Sequence, residues 1–98
     1  MIVVRDVFQL KFGMAKEAKA LWKEGQAIQK EAGLGSSEVM MDLVGTYYTL
    51  VLERRFRSLN HYENKMEEAM KNGKWEAWYQ KFVPLVKSGH REIYTIVE

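Results

Sequence analysis

The residues able to do chemistry in this chain are few and dispersed. Its two histidines, His61 and His90, are far apart in sequence, and neither belongs to a His-x-x-x-His pair or a carboxylate cluster with metal spacing, so no metal site is expected. Imidazole titrates near neutral pH without help, which makes each a candidate proton carrier or ligand contact. The structural alternatives are a hydrogen bond in the first turn of a helix for His61 and plain solvation at the start of the last strand for His90. Arg5 and Gln9 share strand parity with Val3 and Val7. Were that parity to face a cavity, they would be polar groups set among apolar ones, as ligand pockets require. The alternative for Arg5 is an ion pair with Glu92 or Glu98 on a neighbouring strand. In Glu53-Arg54-Arg55-Phe56-Arg57, Arg55 offers fixed charge and paired donors for an anionic or enolate oxygen, against the alternative of a solvated strand end. The candidate ligand-binding set is therefore Arg5, Gln9, Arg55, His61 and His90, with no catalytic residue assigned and no cofactor expected.

Other patterns exclude more than they suggest. Gly33-Leu34-Gly35 precedes a strand instead of a helix and lacks the lysine of a phosphate-binding loop, so nucleotide binding is unsupported. The glycine-rich aromatic signature of RNA-recognition domains is absent, and Tyr47 and Tyr48 alone do not supply it. Trp22, Trp75, Trp78, Tyr79 and Phe82 could roof a cavity, although helical stripes of such residues usually pack against a sheet.

Period-two alternation over residues 2 to 12 predicts a first strand, with Ile2, Val4, Phe8, Leu10 and Phe12 on one parity and Asp6 interrupting that face. Spacings of three and four through Met14, Ala18, Leu21, Gly25, Ile28 and Ala32 predict an amphipathic helix over about residues 14 to 32. A second strand carries Val39, Met41 and Leu43 and ends at Gly45; a short turn at Gly45-Thr46-Tyr47 makes a hairpin with a third strand over residues 48 to 56. Ser58 or Asn60 caps a second helix, which Asn72-Gly73 breaks into two pieces, and Pro84 distorts the end of the second piece. Ser88-Gly89 then resets the chain, and Ile93, Tyr94, Ile96 and Val97 form a last strand.

This β-α-β-β-α-β order in residues 1–98, read as a single domain, gives an α+β, ferredoxin-like fold: a four-stranded antiparallel sheet with its helices on one face. Apolar side chains fall on both strand parities, as with Val3, Val7, Val51 and either Val44 or Leu43. The face without helices should then need a cover. A homodimer packed through the sheet face is the expected arrangement. The composition fits an ordinary globular domain: 47% apolar residues support a core, and a net charge of +2, dispersed along the chain, provides no field for nucleic acid or an anionic membrane. Without cysteine there are no disulfides, and without a leader or membrane span a cytoplasmic location is expected.

Two stretches carry a family likeness. Lys11-Phe12-Gly13-Met14 stands between the first strand and helix, where Phe12 replaces the proline of a Lys-Pro-Gly-Lys-like turn. The more specific stretch is Trp75-x-x-Trp78-Tyr79-x-x-Phe82-x-Pro84-Leu85-Val86, followed by Gly89-x-Arg91-Glu92-Ile93-Tyr94. In these the chain resembles the dimeric α/β-barrel superfamily over nearly its whole length, in particular its NIPSNAP-like branch, with antibiotic-biosynthesis-type monooxygenases and stress-responsive barrel proteins as relatives. The resemblance implies a dimeric α/β barrel with a small-molecule cavity between sheet and helices. Two functions follow as expectations: binding of a small apolar or aromatic ligand, or cofactor-independent oxygenation or isomerisation of an aromatic or enolisable substrate. A purely structural or interaction module is the third reading.

Overall fold

A computed structural model describes residues 1–98. The chain runs β1 (Ile2–Leu10), α1 (Ala15–Glu31), β2 (Glu38–Met41), β3 (Thr49–Phe56), α2 (Leu59–Met70), α3 (Gly73–Phe82), a 3-10 turn (Val83–Leu85) and β4 (Val86–Thr95). All neighbouring strands are antiparallel, in the spatial order β2-β3-β1-β4. This is the four-stranded ferredoxin-like sheet the sequence predicts, with the second helical region in two pieces. No helix is long and apolar enough to cross a membrane.

The alternation on β1 assigns the two sheet faces. Val4, Asp6 and Leu10 are buried, whereas Val3, Arg5, Val7 and Gln9 are only half-buried. The buried parity of β3 is Leu50, Leu52, Arg54 and Phe56, which register places beside the buried parity of β1. Above this face Trp22 of α1 meets Trp75, Trp78 and Phe82 of α3 over Leu10, Leu50 and Leu52, while Tyr62 of α2 closes a smaller cluster on Val4 and Phe56. Four of the stripe's five members are thus core and Tyr79 is exposed, while Trp22, Trp75 and Tyr79 also border a cavity, so the stripe does both things the sequence allows.

Trp78 fixes how the two long helical segments meet. Its indole N–H donates to the Leu21 carbonyl of α1 at 2.8 Å, and its ring stacks between Trp75 and Phe82. The ring lies so close to α1 that a Cβ on Gly25 would stand 2.5 Å from Trp78 Cζ2. Glycine at this helical position therefore serves close approach, at a cost of roughly 1 kcal/mol in helix propensity relative to alanine.

Helix starts are set by local side chains. Ser58 caps α2 through its hydroxyl, which accepts from His61 N at 3.1 Å; Asn60 lies inside the helix instead. Asn72 both ends α2 and caps α3, its side-chain oxygen accepting from Lys74 N and Trp75 N. Pro84 falls in the 3-10 turn that follows α3, where its missing N–H matters least.

Two strand boundaries differ from the sequence reading. The second strand stops at Met41, short of Gly45, because Asp42 closes the ladder: its carboxylate accepts from Thr49 N and its own N–H donates to Thr49 O. Leu43 and Val44 then swing outward, 97% and 94% exposed, and so contribute to neither sheet face. The last strand begins at Val86 and ends at Thr95, running through Ser88-Gly89 instead of restarting after it. Gly89 lies directly across from Phe8, and a Cβ there would come within 3.2 Å of the Phe8 ring and 3.1 Å of the Val7 carbonyl. The glycine is a seat for a cross-strand aromatic ring, which periodicity alone reads as a break.

The Gly25–Trp78 contact yields a direct test. Gly25→Ala should lower unfolding stability by about 1–3 kcal/mol in urea titrations despite the better helix propensity, because the ring has no room to retreat. In a Trp78→Leu background the same substitution should become neutral or mildly stabilising.

Candidate functional site

The helix-covered face of the sheet does not close completely. Between β1, β3 and β4 below and the three helices above lies a cleft of about 760 Å³, within the range of small-molecule sites. Its apolar wall comes from Phe8, Trp22, Leu52, Met66, Trp75 and Val86, with Met70 and Tyr79 nearer solvent. The sheet contributes three charged residues to the same cleft: Asp6, Arg54 and Arg91.

Register brings those charges together. Asp6 and Arg91 are directly paired across β1 and β4, and Arg54 sits one inward-facing position away on β3. One Asp6 oxygen accepts from Arg54 Nη2 at 3.0 Å, and the other accepts from Arg91 Nε. Asp6 and Arg54 are each only 4% exposed, whereas the Arg91 side chain is 49% exposed. A carboxylate at this depth is tolerable only with opposite charge and hydrogen bonds around it, which two guanidinium groups supply.

Further contacts tune the cluster. Burial works against the charged Arg91 side chain, but the hydrogen bond and charge of Asp6 outweigh it and leave the group above its ordinary pKa. The Arg91 guanidinium lies 5.8 Å over the Tyr62 ring, a cation–π arrangement. Burial raises the Tyr62 phenol above its ordinary pKa, Arg91 opposes that rise and Asp6 adds to it, so the hydroxyl stays neutral through the physiological range.

Three polar atoms of cleft-lining residues have no hydrogen-bond partner although they are buried: Trp22 Nε1, Gln29 Nε2 and Arg54 Nε. The Gln29 side chain is fixed from its other end, where Oε1 accepts from Ser37 Oγ at 2.8 Å. No cluster of three metal-ligating side chains occurs.

Of the five residues singled out from sequence, only His90 borders this cleft, and register turns its side chain to the other face of the sheet, across from Val7. Its Nε2 lies 3.3 Å from Glu92 Oε2 at an exposed position. Arg5, Gln9 and Arg55 point to the helix-free face, because their parity is opposite to that of Val4, Asp6 and Leu10. Arg5 lies 3.8 Å from Glu92 and 3.9 Å from Glu53, so the ion pair with Glu92 considered as its alternative is present. Gln9 Nε2 donates to the Tyr47 carbonyl, which anchors the β2–β3 loop. Arg55 is exposed opposite Val3. His61 Nδ1 accepts from Arg57 N at 3.4 Å and its ring packs on Phe56, a local role at the mouth of α2.

Asp6, Arg54 and Arg91 were the residues that pattern reading passed over. The available signal was Asp6 itself, a charge on the apolar parity of a strand, together with Arg54 on the parity of Leu52 and Phe56. Either charge alone reads as a flaw in the pattern; both facing inward on adjacent strands is a pair.

The NIPSNAP family profile matches residues 5–98, and the chain belongs to that family. No match occurs among the curated proteins. Among solved structures, a NIPSNAP family protein from Agrobacterium tumefaciens strain C58 superposes with a TM-score of 0.91 at 20% identity, over 99% of this chain and 93% of that one. A second NIPSNAP family protein from that strain, of unknown function, gives 0.86 at 23% identity, covering 96% and 86%. An antibiotic biosynthesis monooxygenase gives 0.77 at 10% identity over 100% of both chains, a likeness of fold alone.

The buried charge cluster predicts an asymmetric mutational response. Asp6→Val should destabilise by about 3–5 kcal/mol in urea unfolding, because it leaves the buried Arg54 without a counter-charge. Adding Arg54→Met to the same chain should recover at least half of that loss.

Proposed function

We propose that this NIPSNAP-family chain is a binding protein for a small molecule with an apolar or aromatic body, held in the cleft between the sheet and the helices. The observation that carries the reading is the make-up of the cleft: an enclosure of about 760 Å³ with Phe8, Trp22, Trp75 and two methionines around a few convergent polar groups. Apolar walls supply affinity through area removed from water, and the placed polar groups fix orientation.

Cofactor-independent monooxygenation or isomerisation is the second reading. It is favoured by one specific feature, the gathering of Asp6, Arg54 and Arg91 in a single cleft, because guanidinium groups fixed there would stabilise an oxyanion or enolate that develops during reaction. The two readings separate on turnover: a panel of quinol and enolisable substrates under oxygen gives no product with a binder, and gives product that Arg91→Gln reduces with an enzyme.

The working unit in this proposal is a homodimer joined through the helix-free sheet face. Half-buried Val3, Val7 and Val51 lie on that face with the more exposed Met40 and Tyr94, so a second copy would take apolar area out of water. A charged row crosses it: Arg5 stands between Glu53 and Glu92, and Glu38 is paired with Glu53. This face is mixed in character, and the row of charges would set the orientation of one copy on the other.

Two measurements check these statements. The neutral fluorophore N-phenyl-1-naphthylamine should bind saturably and quench tryptophan emission, and Gln80→Trp, at an exposed position on the cleft wall, should weaken it at least tenfold without unfolding the chain. Absence of saturable binding to the wild type overturns the cleft reading. Sedimentation at micromolar concentration should give a species of about twice 11.5 kDa, and a persistent monomer overturns the dimer.

A further inference from the structure

We infer that the ligand of this cleft carries a carboxylate, received by the free guanidinium fork of Arg91 beside Arg54. The inference rests on the binding reading above and specifies its chemistry. Three independent features of the cleft point the same way.

The first is the donor balance. Both oxygens of Asp6, the one acceptor of the charged trio, are already engaged by Arg54 and Arg91, so the hydrogen-bonding groups the trio has left over are guanidinium N–H donors. The group that meets them is one that brings acceptor oxygens.

The second is the charge balance. Asp6 provides one negative charge to two guanidinium groups, which leaves one positive charge over. The other carboxylate on the cleft wall, Glu76, is exposed on α3 and pairs with neither arginine. A monoanion brings the cluster to neutrality.

The third is the geometry of Arg91. Asp6 engages it through Nε alone, so both terminal nitrogens lack a protein acceptor. That leaves the planar fork, two parallel N–H groups with the spacing of a carboxylate, at a side chain 49% exposed and so reachable from the cleft. Asp6 is here a positioning residue: it holds Arg91 by the edge the ligand does not need and ties Arg54 in place underneath.

The class of ligand is therefore an aromatic or branched apolar acid, with its ring or chain against Trp22, Trp75 and Phe8 and its carboxylate at the strand side of the cleft. An inorganic anion supplies charge and acceptor oxygens but leaves the apolar wall uncovered. A neutral ketone or ester satisfies only part of the donor excess.

Binding of 2-naphthoate and of its neutral methyl ester to the wild-type protein separates these cases. The expected result by calorimetry or tryptophan quenching is at least tenfold tighter binding of the acid than of the ester, with the difference shrinking as salt is raised. Arg91→Gln, at a half-exposed position, should abolish the acid's advantage while leaving the ester's affinity within about twofold, and Arg91→Lys should restore part of the advantage. Equal binding of acid and ester to the wild type overturns the carboxylate inference and leaves the cleft reading standing. Binding of neither overturns both. Retention of the acid's advantage in folded Arg91→Gln overturns the role of Arg91 and with it the inference.

Discussion

A carboxylate placed beneath the helices is the constraint on which this structure turns. Asp6 occupies a strand position that the alternation of β1 reserves for an apolar side chain, and it is nearly as inaccessible as the valine two residues before it. An isolated charge there would unfold a domain of this size. The fold accommodates it by bringing an arginine from each flanking strand to its two oxygens. Those same arginines give the cleft its polar character, so the requirement for burying Asp6 and the chemistry offered to a ligand have one origin.

The helical layer responds to a different demand. Trp78 is driven into the backbone of α1, where Gly25 leaves room and the Leu21 carbonyl accepts the indole N–H. That contact locks α3 to α1 over the centre of the sheet and fills it with aromatic surface. Toward Tyr62 the filling is a separate, smaller cluster of Val4 and Phe56. The cleft lies where Asp6, Arg54 and Arg91 prevent the two apolar clusters from merging.

Much of this was legible in the sequence, and the misses have physical reasons. Strand alternation and helical spacing carry the order of elements because both record which side of an element is buried, and the paired signals Asn72-Gly73 and Pro84 record breaks in backbone hydrogen bonding. Strand limits at Met41 and Val86 were obscured because they depend on contacts across strands: the Asp42 side chain taking the Thr49 N–H, and Phe8 resting on Gly89. Parity grouped Arg5 with Gln9 correctly but could not say which parity lies under the helices. Asp6 broke the apolar face of β1 in plain view, yet its meaning required register, since its partners are 48 and 85 residues further along the chain. The local trace is a charge out of place, and only the pairing of strands names its partners.

The neighbouring positions Arg5 and Asp6 carry opposite signs on opposite sides of the same strand. Arg5 lies between Glu53 and Glu92 on the helix-free face, and Asp6 between Arg54 and Arg91 beneath the helices. Sliding β1 by a single residue in one direction would set Asp6 across from Glu53 and Glu92 and Arg5 across from Arg54. A misaligned partner is penalised by charge as well as by the loss of apolar burial. The two-residue code thus works as a vernier, rejecting offset pairings while the chain is still assembling its sheet and sparing it the slipped states to which valine-rich strands are prone.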